Sequence, residues 1–92
     1  MAATLVVSYK IMASDPDVDM EELVRKVTPV LTKYGIEYGK HSVEPVAFGL
    51  KALILHVLSN DDIGTPEELE NELEDFEEIE NVQVIQMQRA LG

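Results

Sequence analysis

The side chains that most often carry out chemistry are scarce in this sequence. It has no cysteine, so thiolate catalysis, disulfide bonds and cysteine-ligated zinc are excluded. Its two histidines, His41 and His56, fall on different predicted strands with no third ligand expected nearby, so no metal site is predicted. No nucleophile is spaced with a base and an orienting group. Nucleophilic catalysis is therefore unsupported by the residues, and we expect neither a metal nor a cofactor.

Phosphate-binding motifs are also missing. Neither the G-x-x-x-x-G-K-[ST] loop nor the G-x-G-x-x-G turn occurs, so the chain has no recognisable cradle for a nucleotide. Seven lysine and arginine residues stand against eighteen aspartate and glutamate residues, a formal charge of −11. Binding to nucleic acid or to an anionic membrane requires clustered positive charge. The composition therefore argues against either as the main partner.

Negative charge is concentrated in the second half of the chain. Eleven acidic residues lie between Asp61 and Glu80, a stretch without lysine or arginine. Such a run is usually the solvent-exposed face of a helix. The alternative is an acidic surface that attracts a partner protein.

The length and composition are those of one small globular domain. Of the 92 residues, 46% are hydrophobic and 27% are charged, so we expect a single domain over residues 1–92. No apolar run approaches the roughly 20 residues of a membrane span, and no basic stretch at the N-terminus precedes a long apolar run. We expect a soluble protein of the cytoplasm.

Periodicity predicts a strand and then a helix in the first part of the chain. Residues 4–12 alternate as in a strand with one buried face. That face is predicted to comprise Leu5, Val7, Tyr9 and Ile11. Asp19 suits the N-cap of a following helix, with Glu22 placed as in a capping box, and Gly35 suits its C-terminal end. Pro29 is expected to bend this helix without dividing it.

A hairpin, a second helix and a last strand are predicted in the remainder. Residues 36–47 and 50–59 are the two strands of the hairpin, the first at an edge of the sheet and the second, which is more apolar, at its centre. Thr65 is expected to cap the second helix, with Pro66 at its first position. The apolar stripe of that helix is predicted to comprise Leu69, Leu73, Phe76 and Ile79. Residues 82–88 form the last strand. Its core-facing side stays open between two apolar pairs, Val82 with Val84 and Ile85 with Met87.

The predicted order β-α-β-β-α-β defines an α+β fold. It predicts the ferredoxin-like plait, a four-stranded antiparallel sheet with both helices on one face. This fold hosts enzymes, RNA-binding domains, metabolite sensors and protein-interaction modules, so it does not by itself give a function. RNA recognition would need aromatic side chains on the open face of the sheet. The residues predicted on that face of the central strands provide none; they are Val6, Ser8, Lys10, Leu53 and Leu55.

Two short stretches contain residues that the hydrophobic core does not require. Residues 44–51 place Phe48 beside Gly49 at the tip of the predicted hairpin. Phe48 is either tucked into the core, with Gly49 making the turn, or is an exposed aromatic anchor for a partner protein. Residues 87–91 contain Arg89, the only basic residue after Lys51. This second stretch is either a frayed end with a solvated arginine or part of a binding site.

Together, these stretches resemble the guanine-nucleotide exchange domain family of elongation factor 1-beta, and the size resembles its short archaeal members. Residues 45–51, Pro-Val-Ala-Phe-Gly-Leu-Lys, are similar to the family's Pro-Val-x-aromatic-Gly-[Ile/Leu]-Lys stretch. The Asp61-Asp62 loop before the Thr65 cap and a Glu-rich helix also matches. Residues 87–89, Met-Gln-Arg, fall where eukaryotic members end in a similar run with lysine in place of Arg89.

The resemblance implies an exchange factor that replaces GDP by GTP on elongation factor 1-alpha, the GTPase that delivers aminoacyl-tRNA in translation elongation. It implies that Phe48 packs into the GTPase and that Arg89 disturbs the Mg²⁺ and phosphate site there. This sequence departs from the eukaryotic pattern because Leu91 and Gly92 follow. The residues expected at the partner-binding site are Pro45, Phe48, Gly49, Lys51, Met87, Gln88 and Arg89.

Two other classes of function stay open from the sequence. One is a regulatory module that binds a small metabolite and pairs edge to edge with a second copy. The other is a structural subunit of a larger complex.

Overall fold

A computed structural model describes residues 4–90 of the chain. Its elements are β1 (Thr4–Ala13), α1 (Met20–Lys33), β2 (Glu37–Pro45), β3 (Lys51–Asn60), α2 (Glu67–Glu74) and β4 (Ile79–Arg89), with a 3₁₀ turn (Ala47–Gly49) between β2 and β3. The four strands form one antiparallel sheet in the order β2-β3-β1-β4, and both helices pack on one face. The ferredoxin-like plait is therefore confirmed. Within residues 4–90, no helix has the length and apolar character needed to cross a membrane.

The core lies between the helices and one face of the sheet. The alternation in β1 has the predicted effect, because Leu5, Val7, Tyr9 and Ile11 are all buried on that face. Strand β3 is central, and its core-facing residues are paired with those of β1. From α1, the stripe of Leu23, Val24, Val27 and Leu31 covers the sheet, as its helical spacing requires.

The two ends of α1 are fixed as its sequence predicts. The Asp19 carboxylate accepts hydrogen bonds from the backbone N–H groups of Glu21 and Glu22, at 3.0 and 3.3 Å. Gly35 has φ of +77°, the left-handed conformation of a helix C-terminal end. The helix continues through Pro29, which is exposed.

The second helix differs from the prediction at both ends. It begins at Glu67, because Pro66 is extended with ψ of 131°, and Thr65 makes no capping hydrogen bond. The first helical hydrogen bonds run to the carbonyl of Pro66, from Leu69 and Glu70. At the other end, Ile79 is not part of the helix but is the first residue of β4, where it is buried.

Assignment of residues to the two faces of the sheet also needs correction. Leu53 and Leu55 are paired with Ile11 and Tyr9 and are buried on the helix side. The open face of β3 instead carries the residues that alternate with them, Ala52, Ile54, His56 and Leu58. The sequence left open which of the two apolar pairs of β4 faces the core. The pairing of β4 with β1 shifts register between Ser8 and Tyr9 of β1, so neither pair as a whole is the core-facing one. As a result Val82, Val84 and Met87 all lie on the helix side, with Ile85 at the irregularity.

Candidate functional site

The tip of the β2–β3 hairpin presents Phe48 to solvent. Its side chain is 95% exposed, so of the two alternatives for this residue the core position is wrong and the exposed position is confirmed. The backbone N–H of Val46 donates to the carbonyl of Leu50 at 2.9 Å, and the N–H of Leu50 donates to the carbonyl of Ala47 at 3.3 Å. These two hydrogen bonds close the tip, so Phe48 is carried on a short, fixed turn.

The backbone at this tip is strained. Phe48 has φ of +64°, a left-handed conformation that costs a residue with a side chain about 1–2 kcal/mol. Gly49 follows with φ of +76°, where the lack of a side chain removes that cost. No atom lies within 4 Å of the place where a Cβ of Gly49 would stand, so its requirement is conformational and not steric. An exposed, strained aromatic contributes nothing to the core, and strain of this kind is found at functional sites.

Two other predicted residues of this stretch flank the turn that carries Phe48. Pro45 and Lys51 are register partners at the base of the turn, and both are exposed. Lys51 forms no ion pair within residues 4–90. The tip therefore combines an aromatic ring with a free cation on a hairpin that is closed by backbone hydrogen bonds.

The C-terminal stretch is ordered strand as far as Arg89. The backbone N–H of Ala90 still donates to the carbonyl of Thr4 at 2.8 Å, so a frayed end is wrong for the described residues. Leu91 and Gly92 lie outside them. Met87, Gln88 and Arg89 are exposed, and a guanidinium nitrogen of Arg89 donates to the Asp61 carboxylate at 3.1 Å.

The fold does not bring the two predicted stretches together. Lys51 opens β3 beside the hairpin tip, whereas Ser59 at the other end of β3 is paired with Leu5, which is paired with Arg89. Eight residues of strand at about 3.3 Å each separate the two ends by roughly 25 Å. Phe48 and Arg89 could therefore contact one partner only at two well-separated places.

The acidic stretch is less uniform than its sequence indicates. Glu72 accepts a hydrogen bond from Lys33 at 2.9 Å, Glu78 pairs with Lys26, and Asp61 pairs with Arg89. The Lys33 ammonium holds the pKa of Glu72 below its usual value, and Lys26 does the same for Glu78. Sequence reasoning missed these contacts, although Lys26 and Lys33 lie two helical turns apart on the same face of α1. The other acids of this stretch form no ion pair within residues 4–90.

Both histidines serve polar contacts between elements. His56 is hydrogen-bonded through Nδ1 to the Ser8 hydroxyl at 2.8 Å on the open face of the sheet. His41, on the helix side, lies 2.7 Å from the Tyr38 hydroxyl and 3.3 Å from Glu21. The two side chains point to opposite faces, and the described residues contain no group of three potential metal ligands. Neither contact was predicted.

Comparisons with known proteins show the family to which this chain belongs. Residues 6–90 match the family described as the EF-1 guanine nucleotide exchange domain. The chain is 37% identical over 81 residues to "Elongation factor 1-beta" of Nanoarchaeum equitans, covering 88% of this chain and 99% of that protein. It is 42% identical over 80 residues to the protein of the same name from Pyrococcus horikoshii, covering 86% and 84%. For that of Methanocaldococcus jannaschii the identity is 33% over 88 residues, covering 96% and 99%. The chain belongs to the EF-1 guanine nucleotide exchange domain family.

Proposed function

We propose that this protein promotes the exchange of GDP for GTP on elongation factor 1-alpha and so regenerates the form that delivers aminoacyl-tRNA. In this role it carries out no chemical reaction of its own. The observation that carries the proposal is the exposed and strained Phe48, which stands in the motif of residues 45–51. Aromatic residues dominate the binding energy of protein interfaces, and this one has no role in the core.

The mechanism proposed is competition between protein and nucleotide for the GTPase. Binding of the exchange factor weakens binding of the nucleotide, and by linkage the nucleotide weakens binding of the factor by the same ratio. Phe48 anchors the factor from the hairpin tip. Arg89, roughly 25 Å away at the other end of the sheet, brings a cation to the Mg²⁺ and phosphate site. Mg²⁺ and phosphate hold a nucleotide by electrostatics, so a cation placed there competes for their ligands.

The charge of the chain supports the same partner. A GTPase that handles tRNA is expected to have a basic surface, and a factor of charge −11 is attracted to it before contact. The acids of α2 and of the turn after it contribute to this field, because several of them are exposed and free of cations within the described residues.

The test is release of labelled GDP from the cognate elongation factor 1-alpha. We expect substoichiometric factor to accelerate release, with no effect on a GTPase of another family as the control. An unchanged release rate would overturn the proposed function. A rise in melting temperature with an amino acid or similar ligand would instead favour a metabolite-binding module.

A further inference from the structure

Strand β4 carries three large apolar side chains that remain exposed within residues 4–90. Val84, Ile85 and Met87 are 37%, 50% and 55% exposed, and we call them the apolar row. Val84 and Met87 lie on the helix side, in register with Tyr9 and Val7. Helix α2 has only 8 residues, and the two buried residues of β4, Ile79 and Val82, lie in the first half of that strand, whereas residues 83–89 are exposed. Because β4 is the last strand of the sheet, the row is also open at its outer edge.

A line of carboxylates on α2 lies beside this row. Glu67, Glu70 and Glu74 are spaced three and four residues apart, so they share one helix face, and we call them the acidic row. Glu74 accepts a hydrogen bond from the backbone N–H of Val82 at 3.1 Å, which places the acidic row against β4. Partial burial, together with Glu74 and Glu67, raises the pKa of Glu70. The acidic row is therefore a site where a nearby cation is favoured.

The free edge of β4 and the negative charge of the acidic row indicate which kind of partner binds at this surface. A free edge strand is a template for another strand, but here the N–H of Val82 is taken by Glu74 and the strand is irregular near Ile85. A second copy of this chain would also bring its own acidic row towards the first. An apolar surface with lysine or arginine at its rim fits both rows.

We infer that the apolar row and the acidic row form one docking surface for the GTPase of the proposed function. This inference rests on that function, because the surface continues directly into Met87–Arg89, the second predicted contact. Apolar side chains of the GTPase cover Val84 and Ile85, and basic side chains at their rim pair with Glu67 and Glu70. Contact with the GTPase then extends from the end of β4 to its middle.

Matched variants test the apolar row. Val84→Ala combined with Ile85→Ala should raise the Kd for nucleotide-free elongation factor 1-alpha about 10-fold or more. The control is Val43→Ala, a valine that is 44% exposed on the opposite edge strand, β2, and it should bind like the wild type. The melting temperature of each variant establishes that it is folded.

A second pair of variants tests the acidic row. Glu67→Gln with Glu70→Gln should raise the Kd more at low salt than at high salt, since it removes paired charges. The control is Glu68→Gln on the same helix, because Glu68 acts on Tyr34 and so faces α1 instead of β4.

The outcomes separate this inference from the proposed function. If the wild type accelerates GDP release but the row variants bind as tightly as it does, the inference alone is overturned. If the wild type has no effect on GDP release, the proposed function fails and the inference fails with it. If the row variants change sedimentation from dimer to monomer while the Kd for the GTPase is unchanged, a second copy covers the surface and the inference is wrong.

Discussion

The guanidinium of Arg89, at the end of β4, is held 3.1 Å from the carboxylate of Asp61 in the loop after β3. Both side chains are partly or largely exposed, at 64% and 36%. An exposed ion pair of this kind contributes about 1 kcal/mol or less, so Arg89 can leave Asp61 at little cost when a phosphate is near. The contact therefore holds the Arg89 guanidinium near the end of the sheet but is weak enough to be broken when a partner binds.

Loss of the Arg89 cation should slow the exchange step and leave docking nearly intact. In Arg89→Ala we expect GDP release within the complex to fall, by ~10-fold for each 1.4 kcal/mol of lost nucleotide destabilisation. Arg89→Lys should keep most of the rate, because a point charge suffices to repel Mg²⁺, whereas a bidentate phosphate contact needs the guanidinium fork. Stopped-flow release of a fluorescent GDP at saturating factor, with Mg²⁺ varied, measures this step.

The control for Arg89 is another exposed arginine. Arg25→Ala on α1 removes the same charge far from the end of β4 and should exchange at the wild-type rate. If Arg89→Ala also exchanged at that rate, catalysis would rest on the hairpin around Phe48 and on distortion of loops of the GTPase.

Removing the ring of Phe48 should cost binding and not stability. Phe48→Ala should weaken binding to elongation factor 1-alpha by about 2 kcal/mol, or roughly 30-fold, as for an interface anchor. Its melting temperature should stay near that of the wild type, because the ring is 95% exposed. A buried phenylalanine would instead cost about 3–5 kcal/mol of stability.

Phe48→Gly separates strain from binding. Glycine removes the cost of the left-handed conformation, which stabilises the folded state by about 1–2 kcal/mol. This gain exceeds the ~0.5–1 kcal/mol by which the greater freedom of glycine stabilises the unfolded chain. This variant should therefore unfold at a slightly higher temperature than Phe48→Ala while binding equally weakly. Leu58→Ala on the open face serves as the control and should bind normally. A Phe48→Gly protein that is less stable than Phe48→Ala would show that the turn is not strained.

Much of the fold follows from local sequence signals. The period-two alternation of β1, the Asp19 cap and Gly35 gave correct elements because each signal acts within a few residues. Errors arose where two signals overlap. Pro66 suits the first turn of a helix, but its extended ψ of 131° delays the helix to Glu67. Ile79 fits the spacing of the α2 stripe, yet its burial is achieved at the start of β4.

The site was less predictable because it depends on contacts between distant residues. Hydrophobicity favours burial of Phe48, but the ring is exposed on a turn that contains two left-handed residues. The register shift in β4 that exposes Ile85 has no signature in its own sequence. The pairing of Lys26 with Glu78 joins residues 52 positions apart, which no local pattern can indicate.

The protein alone should not bind a guanine nucleotide. It lacks both phosphate-binding motifs, and an exchange factor needs no nucleotide site of its own. Calorimetric titration with GDP and Mg²⁺ should give no heat beyond dilution. Affinity in the micromolar range would contradict this expectation.

Exposed acids that follow β3 but lie outside the acidic row should act on the rate of association more than on affinity. Asp62→Asn with Glu77→Gln and Glu80→Gln removes three charges that form no ion pair within the described residues. We expect slower association at low salt. At high salt we expect little change, because charges more than about 10 Å apart are then largely screened from each other. Stopped-flow mixing with the GTPase at several ionic strengths measures the effect.

The matched control removes three acids elsewhere. Asp17→Asn with Glu22→Gln and Glu37→Gln changes the net charge equally but lies on other elements. If both triple variants slowed association to the same extent, net charge and not the location of the acids would be responsible.

The ion pairs of α1 with Glu72 and Glu78 should make stability depend on acid pH. Lys33 and Lys26 lower the pKa of these two carboxyls from the usual 4.5, so the folded state prefers the charged form. Their contribution is present above the unfolded pKa and is lost as pH falls through the lower folded pKa. Glu70 has a raised pKa, so its protonation below the folded value works in the opposite direction and offsets part of the loss.

Removal of the two cations should therefore reduce the sensitivity to acid. Melting temperature measured from about pH 7 to about pH 3 should fall less steeply in Lys26→Met with Lys33→Met than in the wild type, because the pKa shifts of their partners disappear. Lys40→Met, an exposed lysine without an ion pair within residues 4–90, should leave the slope unchanged. Equal slopes in the double variant and the wild type would mean that solvent screens both pairs and that acid unfolding is controlled by other carboxyl groups.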